Sequence, residues 1–398
     1  MEQKENLIDY LAELPNYLSW FIIPIYFTTA STMLLEISRS FNISAGNMSL
    51  IFTFFTMGLV LGQLTSVIYN KKFKKVMIIV GAYSLIIPIL VILGFARSLY
   101  LFYVLYCLIG YLSGIIQIQT IKFILENKIK NKDRLVTILL FFYPIGSLVA
   151  PLFASSLIKN KIDWHFSYFI MASVSFLILI LYVIIKWRAS RLTAEDEEKI
   201  SFKQIFFDRR RNIIFVLGLV LMFFYCISET VMATWSPTFL RAARALDIRY
   251  AGLTVSIFWL GILVGRIIVS FFAGRRNSNI IMLFLSILAF SSLVLFIVFK
   301  SKYAIFTTAA FAGLGYSGLA TIGISSSGTI YERGRGILAT IIFAVNYAGI
   351  SISPFLTRFS SRYNMTFSII LAPVFMLLVF VVIIIKIAYE KKMLQLKL

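Results

Sequence analysis

The feature that most constrains this chain is the recurrence of apolar runs of about 20 residues along its whole length. A run of that length crosses the hydrocarbon core of a bilayer as a helix, because lipid-exposed backbone must satisfy its own hydrogen bonds. There are twelve such runs, at roughly 14–37, 48–69, 76–96, 100–125, 137–157, 167–186, 212–240, 251–272, 279–299, 303–325, 337–356 and 366–387. The sequence therefore predicts an all-α membrane protein with twelve transmembrane helices.

The composition agrees with this prediction. Hydrophobic residues make up 60% of the 398 residues and charged residues only 14%, which is too few to cover the surface of a soluble domain. The net charge of +21 would suggest nucleic acid in a soluble protein, but the Lys and Arg residues stand mainly in short loops between the apolar runs. We therefore expect no nucleic-acid partner and expect these charges to set the topology.

The distribution of the basic residues predicts the orientation. With both termini in the cytoplasm, 25 of the 38 Lys and Arg residues fall in cytoplasmic segments and 11 on the opposite side. Cytoplasmic loops of membrane proteins carry an excess of Lys and Arg. The sequence therefore predicts a multi-pass protein of the bacterial inner membrane with both termini in the cytoplasm.

Glycine and proline positions recur at an offset of 203 residues. The matching pairs are Gly58 and Gly261, Gly62 and Gly265, Gly110 and Gly313, Gly146 and Gly349, and Pro151 and Pro354. Gly-x-x-x-Gly spacing lets membrane helices approach closely. The repeat predicts two pseudo-symmetric six-helix bundles, residues 1–186 and 212–398, with a substrate site at their interface.

The segment 187–211 between these bundles is predicted to be a cytoplasmic linker. Within it, Ser201–Phe207 mixes aromatic and aliphatic residues with a lysine. This pattern fits a short interfacial amphipathic helix, and it fits an ordinary basic linker equally well.

Two sequence elements resemble the major facilitator superfamily of transporters. Gly146-x-x-x-Ala150-Pro151 is similar to its fifth-helix Gly/Pro element, and the basic loops Lys71–Lys75 and Arg275–Arg276 stand where its loop signature stands. These loops depart from that signature, since neither begins with Asp and the glycine between basic residues is absent.

Within the superfamily, the second half resembles the fucose–proton symporter branch, which includes TsgA-like members. The motifs are Glu229-x5-Trp235 and Ser256-x-Phe258-Trp259-x-Gly261-x-x-x-Gly265-Arg266. The resemblance implies solute transport coupled to protons. Where that branch has carboxylates in its first and fourth helices, this chain has Ser31 and Gln117, so proton coupling depends on Glu229.

Glu229 is the foremost candidate site residue, because an ionised carboxylate in the middle of a membrane helix costs roughly 2.5–3.5 kcal/mol. It would accept hydrogen bonds from the solute or carry a proton; the alternative is a structural acid paired with a neighbouring helix. Arg266 is expected to contact the basic loop or lipid phosphates. The other candidates for substrate binding are Trp235, Gln117, Asn346, Tyr316, Trp259, Tyr143 and Tyr347, and those for gating ion pairs are Asp133, Arg134, Glu332, Arg333 and Arg335.

The sequence contains no phosphate-binding loop, no nucleophile elbow and no clustered metal ligands, so neither an enzyme, a cofactor nor a metal site is expected. Three hypotheses remain. The first is transport of a small polar solute, such as a sugar or related metabolite, by a monomer in the bilayer and coupled to protons. The second is efflux of lipophilic compounds or metabolites, and the third is a non-transporting sensor or scaffold.

Overall fold

The computed structural model describes residues 12–70, 73–126, 132–186, 209–272, 278–328 and 335–395. The helices of the first part of the chain are α1 (Leu14–Thr32), α2 (Leu34–Ser40), α3 (Ala45–Met48), α4 (Leu50–Asn70), α5 (Lys75–Leu93), α6 (Leu99–Glu126), α7 (Lys132–Lys159) and α8 (His165–Leu181), which continues as a π-helix (Tyr182–Lys186). Those of the second part are α9 (Arg209–Ala242), α10 (Ile248–Phe272), α11 (Ser278–Val298), α12 (Lys302–Gly328), α13 (Arg335–Ser361) and α14 (Met365–Gln395).

Each of the twelve predicted spans coincides with one of these helices or a short series of them. Among the described residues, nine helices are long and apolar enough to cross a membrane, and α1 with α2 makes a tenth span bent by 65°. The remaining two predicted spans lie in α12 and α13, which are continuous helices of 27 residues each. The prediction of an all-α membrane protein is confirmed.

The chain divides into two compact units, Met1–Asp196 and Glu197–Leu398. The division falls inside the segment 187–211 that the sequence predicts as a linker. Most of that segment, including the possible amphipathic helix Ser201–Phe207, lies outside the described residues, and its last three residues already belong to α9.

The tightest helix contact in the first unit joins α4 to α6. Glycines here leave so little space that an added Cβ would collide with a main-chain carbonyl of the facing helix. The colliding pairs are Gly58 with Cys107, Gly62 with Tyr111, and Gly110 with Phe55. The α1 and α7 helices also pack together, with Gly146 against the carbonyl of Phe21.

The second unit repeats these contacts. Its α10 and α12 helices meet through Gly261 against the carbonyl of Ala310 and Gly313 against that of Phe258. Both pairs are first-unit pairs displaced by 203 residues, so the offset found in the sequence also relates helix contacts. Helices α9, α11 and α14 complete the packing around α12 and α13.

Candidate functional site

The candidate site of the second unit is built around Glu229 on α9. Tyr225 stands one helical turn earlier, and side chains four residues apart lie on the same helix face. The hydroxyl of Tyr225 donates a hydrogen bond of 2.6 Å to Oε1 of Glu229. Tyr225 is buried and Glu229 is partly buried, so the carboxylate is oriented by a partner inside the unit.

Arg266 on α10 adds a positive charge to this pair. Its guanidinium acts electrostatically on both Glu229 and Tyr225. At 1.5 Å of rise per residue from the loop that joins α9 and α10, Glu229 lies about 20 Å and Arg266 about 27 Å along their helices. The long arginine side chain can bridge much of that difference and bring its charge near Glu229, while the expected contact of Arg266 with the basic loop or lipid phosphates stays a prediction.

Aromatic rings pack beside the Glu229–Tyr225 pair. The ring of Tyr316 on α12 meets Tyr225 edge-on at 5.5 Å between centroids, and Phe258 on α10 meets Tyr316 edge-on at 5.4 Å. Trp259 meets Phe258 in the same manner at 5.8 Å. These buried residues form one continuous series of ring contacts, which we call the Tyr225–Trp259 aromatic cluster.

Ser228 on α9 ties the cluster to a fourth helix, α14. Its hydroxyl donates to the carbonyl oxygen of Ala372 on α14 at 2.6 Å and is hydrogen-bonded to the hydroxyl of Tyr316. A hydroxyl has one proton to donate, so Tyr316 donates to Ser228. The ring of Tyr316 is thereby held in place by α9 and α14 together.

Three other predicted site residues of the second unit are Trp235, Asn346 and Tyr347. Trp235 is fully buried, and within the described residues its Nε1 has no hydrogen-bond partner. Asn346 on α13 is 8% exposed, and its Oδ1 also has no hydrogen-bond partner among the described residues. Tyr347 is partly buried.

The candidates of the first unit lie within its helix contacts. Gln117 on α6 is 2% exposed, and its Oε1 accepts a hydrogen bond of 3.1 Å from Nε2 of Gln63 on α4. Tyr143 on α7 packs edge-on against the ring of Trp20 at 6.3 Å. In turn, Nε1 of Trp20 donates to Oγ1 of Thr120 at 2.8 Å, so amide, hydroxyl and aromatic groups join α1, α4, α6 and α7.

A comparison with protein families decides what kind of molecule this is. The model of the Major Facilitator Superfamily matches residues 11–354, which is most of the chain. The chain belongs to the Major Facilitator Superfamily. The predicted fold class, twelve transmembrane helices in two six-helix bundles, is confirmed by this membership and by the helices described above.

Relatives in this superfamily include the protein TsgA homolog of Buchnera aphidicola subsp. Schizaphis graminum, 27% identical over 295 residues that cover 72% of this chain and 73% of the relative. The glucose/mannose transporter GlcP of Bacillus subtilis is 21% identical over 350 residues, covering 86% of each chain. Among solved structures, a D-xylose–proton symporter superposes with a TM-score of 0.79 at 13% identity, covering 94% of this chain and 97% of the other. The resemblance to TsgA-like members is confirmed.

The predicted gating residues of this superfamily member are not placed by the structure. Glu332 and Arg333 lie outside the described residues, and so do the side chains of Asp133, Arg134 and Arg335. Their role stays a prediction.

A buried polar network in the first unit was not predicted from the sequence. The Oε2 atom of Glu13, which is 1% exposed, accepts a hydrogen bond of 2.5 Å from Nδ2 of Asn16. Tyr182 of the π-helix donates to Oδ1 of Asn16 at 2.7 Å and lies 3.0 Å from Oγ of Ser19, which also accepts from Tyr83 at 2.8 Å. The spacing of three residues between Glu13, Asn16 and Ser19 is the sequence signal that could have revealed this shared helix face.

Proposed function

We propose that this protein moves a small hydroxyl-rich solute, a sugar or a related metabolite, across the bacterial inner membrane by alternating access. The observation that carries the proposal is the partly buried carboxylate of Glu229, held by the hydroxyl of Tyr225 beside the Tyr225–Trp259 aromatic cluster. Superfamily membership and the similarity to the glucose/mannose transporter GlcP support it.

The chemistry of the site suits such a solute. An ionised carboxylate has two oxygens that accept hydrogen bonds, and Tyr225 occupies only one of them. The second oxygen of Glu229 can accept from a solute hydroxyl. Aromatic rings such as that of Trp259 can pack against the apolar C–H face of a sugar ring.

Proton coupling is the second part of the proposal, and it rests on the same carboxylate. The carboxylate of Glu229 accepts a hydrogen bond from Tyr225, and when it is ionised both of its oxygens are acceptors. Protonation would remove its negative charge and turn one of these acceptor oxygens into a donor. Proton binding and solute binding would therefore be linked, and such linkage is reciprocal.

We further propose that both termini lie in the cytoplasm and that the protein acts as a monomer. The orientation is supported by the excess of Lys and Arg in the loops on that side. The remaining predicted candidates, Gln117, Tyr143, Asn346, Trp235 and Tyr347, stay predictions.

The test is uptake of radiolabelled D-glucose, D-mannose and D-xylose into proteoliposomes, with and without an imposed pH gradient. We expect gradient-driven accumulation of at least one of them by the wild type, and its loss in Glu229→Gln. Glu36→Gln is the matched control, because Glu36 lies on the short helix α2 outside the cluster. Unchanged accumulation by Glu229→Gln contradicts proton coupling through this residue.

The same preparation distinguishes the alternatives. Transport of a lipophilic dye with no movement of any of the sugars contradicts sugar transport and favours efflux. If a thermal unfolding transition shows that the protein is folded and no solute is transported, the result favours a sensor or scaffold.

A further inference from the structure

A groove on the first unit lies outside the candidate site. It has a volume of about 360 Å³ and is lined mainly by Tyr69, Met77, Gly81, Leu85, Tyr111 and Ile115. These residues come from α4, α5 and α6. Helices α4 and α5 both pack on α6, so α6 forms the floor of the groove and the other two helices form its walls.

The walls of the groove are apolar and face outward. Met77 is 44% exposed and Leu85 is 56% exposed. Gly81 supplies no side chain between them, and an added Cβ at this position would meet no atom within 4 Å. Water gains few hydrogen bonds in such a space, whereas a hydrocarbon chain fits it within a membrane-spanning unit.

One end of the groove is polar. The hydroxyls of Tyr69 and Tyr111 are hydrogen-bonded to each other at 2.7 Å. Phe73 closes this end, and Lys74, which is exposed, and Lys75, the first residue of α5, follow it directly. Tyrosines and lysines are the residues that anchor proteins at the level of the lipid headgroups.

The charge at this end selects among lipids. The sequence has four lysines between positions 71 and 75 and no acidic residue there. Basic clusters beside membrane helices attract anionic headgroups, while the ammonium group of a zwitterionic lipid gains less from them. The second unit lacks this arrangement at the 203-residue offset, since Phe284 stands at the position of Gly81 and Leu314 at that of Tyr111.

We propose that this groove binds one anionic phospholipid. An acyl chain lies along α6 between α4 and α5, and the phosphate lies near the hydroxyl of Tyr69 and the ammonium groups of Lys74 and Lys75. The site is independent of the solute, so it gives the first unit a lipid partner that the second unit does not share at the equivalent place.

The experiment is native mass spectrometry of the purified full chain, titrated with dioleoyl phosphatidylglycerol or dioleoyl phosphatidylcholine. We expect the wild type to bind phosphatidylglycerol about tenfold more tightly than phosphatidylcholine. Gly81→Phe places a ring in the groove and is expected to weaken binding of phosphatidylglycerol about tenfold. Val91→Phe is the control, because it adds a ring at an exposed position of the same helix outside the groove.

A second variant separates the headgroup from the acyl chain. Replacing both lysines, Lys74→Gln with Lys75→Gln, is expected to bring phosphatidylglycerol down to the affinity of phosphatidylcholine and to leave the latter unchanged. Equal retention of the two lipids by the wild type overturns the proposal. So does a Gly81→Phe protein that binds phosphatidylglycerol as tightly as the Val91→Phe control.

Discussion

The hydroxyl of Tyr225 lies 2.6 Å from Oε1 of Glu229, one helical turn away on α9. The tyrosine is buried while the carboxylate is partly exposed. Tyr225 therefore fixes the orientation of Glu229 from inside the unit and leaves its other oxygen available, and this geometry makes the pair the centre of the proposed site.

Replacing Tyr225 with Phe is expected to lower solute affinity about 10- to 100-fold. The change removes a hydrogen bond to a charged group, worth about 1.5–3 kcal/mol, and keeps the aromatic ring. Uptake by proteoliposomes over a range of solute concentrations measures the effect. Tyr363→Phe is the control, since Tyr363 is 75% exposed. An equal effect of both substitutions would mean that Tyr225 does not position Glu229.

The substitution Arg266→Gln removes a positive charge near Glu229. It is expected to destabilise the protein by roughly 1–3 kcal/mol, because the carboxylate of Glu229 loses its compensating charge. The double variant Glu229→Gln with Arg266→Gln should recover part of this loss. Thermal unfolding of the two single variants and the double variant gives the coupling between them, expected at about 0.5–3 kcal/mol. Strictly additive effects would show that the two charges do not interact.

The glycine contact between α4 and α6 is expected to tolerate no side chain. Gly58→Ala would drive a methyl group into the carbonyl of Cys107, and such overpacking costs about 1–3 kcal/mol. The same substitution at Gly81, where the space is open, should be neutral or stabilise the helix by up to about 1 kcal/mol. Unfolding midpoints of the two variants measure the difference, and equal midpoints would contradict the contact.

The polar network at Glu13 is expected to depend on Tyr182. The substitution Tyr182→Phe removes the hydrogen bond to Asn16 and leaves a buried amide without that donor, which costs about 1–3 kcal/mol. Tyr100→Phe, at a position that is 81% exposed, should leave stability unchanged. A Tyr182→Phe protein as stable as this control would show that the network contributes nothing to folding.

The sequence predicts the helices of this fold well because a membrane span needs a long apolar run, and such runs are visible without any tertiary information. It also singles out Glu229 as a residue that binds the solute or a proton or pairs with a neighbouring helix, since an isolated charge at that depth is costly. It does not predict which partner. Tyr225 is available from spacing alone, but the influence of Arg266 depends on how α9 and α10 pack.

In the first unit, the sequence does not identify the partners of buried polar side chains. The sequence makes Gln117 a candidate solute ligand because an amide offers both donors and an acceptor to sugar hydroxyls. In the structure its Oε1 accepts from Gln63 of a neighbouring helix. A sequence pattern cannot tell a solute hydroxyl from an adjacent side chain, because both satisfy the same polar group. The buried Glu13 escaped prediction because it stands just before the first apolar run, where an acid is ordinarily solvated.

The glycine contacts also limit where this protein can bend. Helices α4 and α6 in the first unit, and α10 and α12 in the second, touch backbone to backbone, and all eight prolines of the chain lie outside these four helices. We therefore expect each of these pairs to keep its shape. Prolines weaken the backbone hydrogen bonding of α1, α5, α7, α9, α13 and α14, so we expect bending within a unit during a transport cycle to occur in those helices.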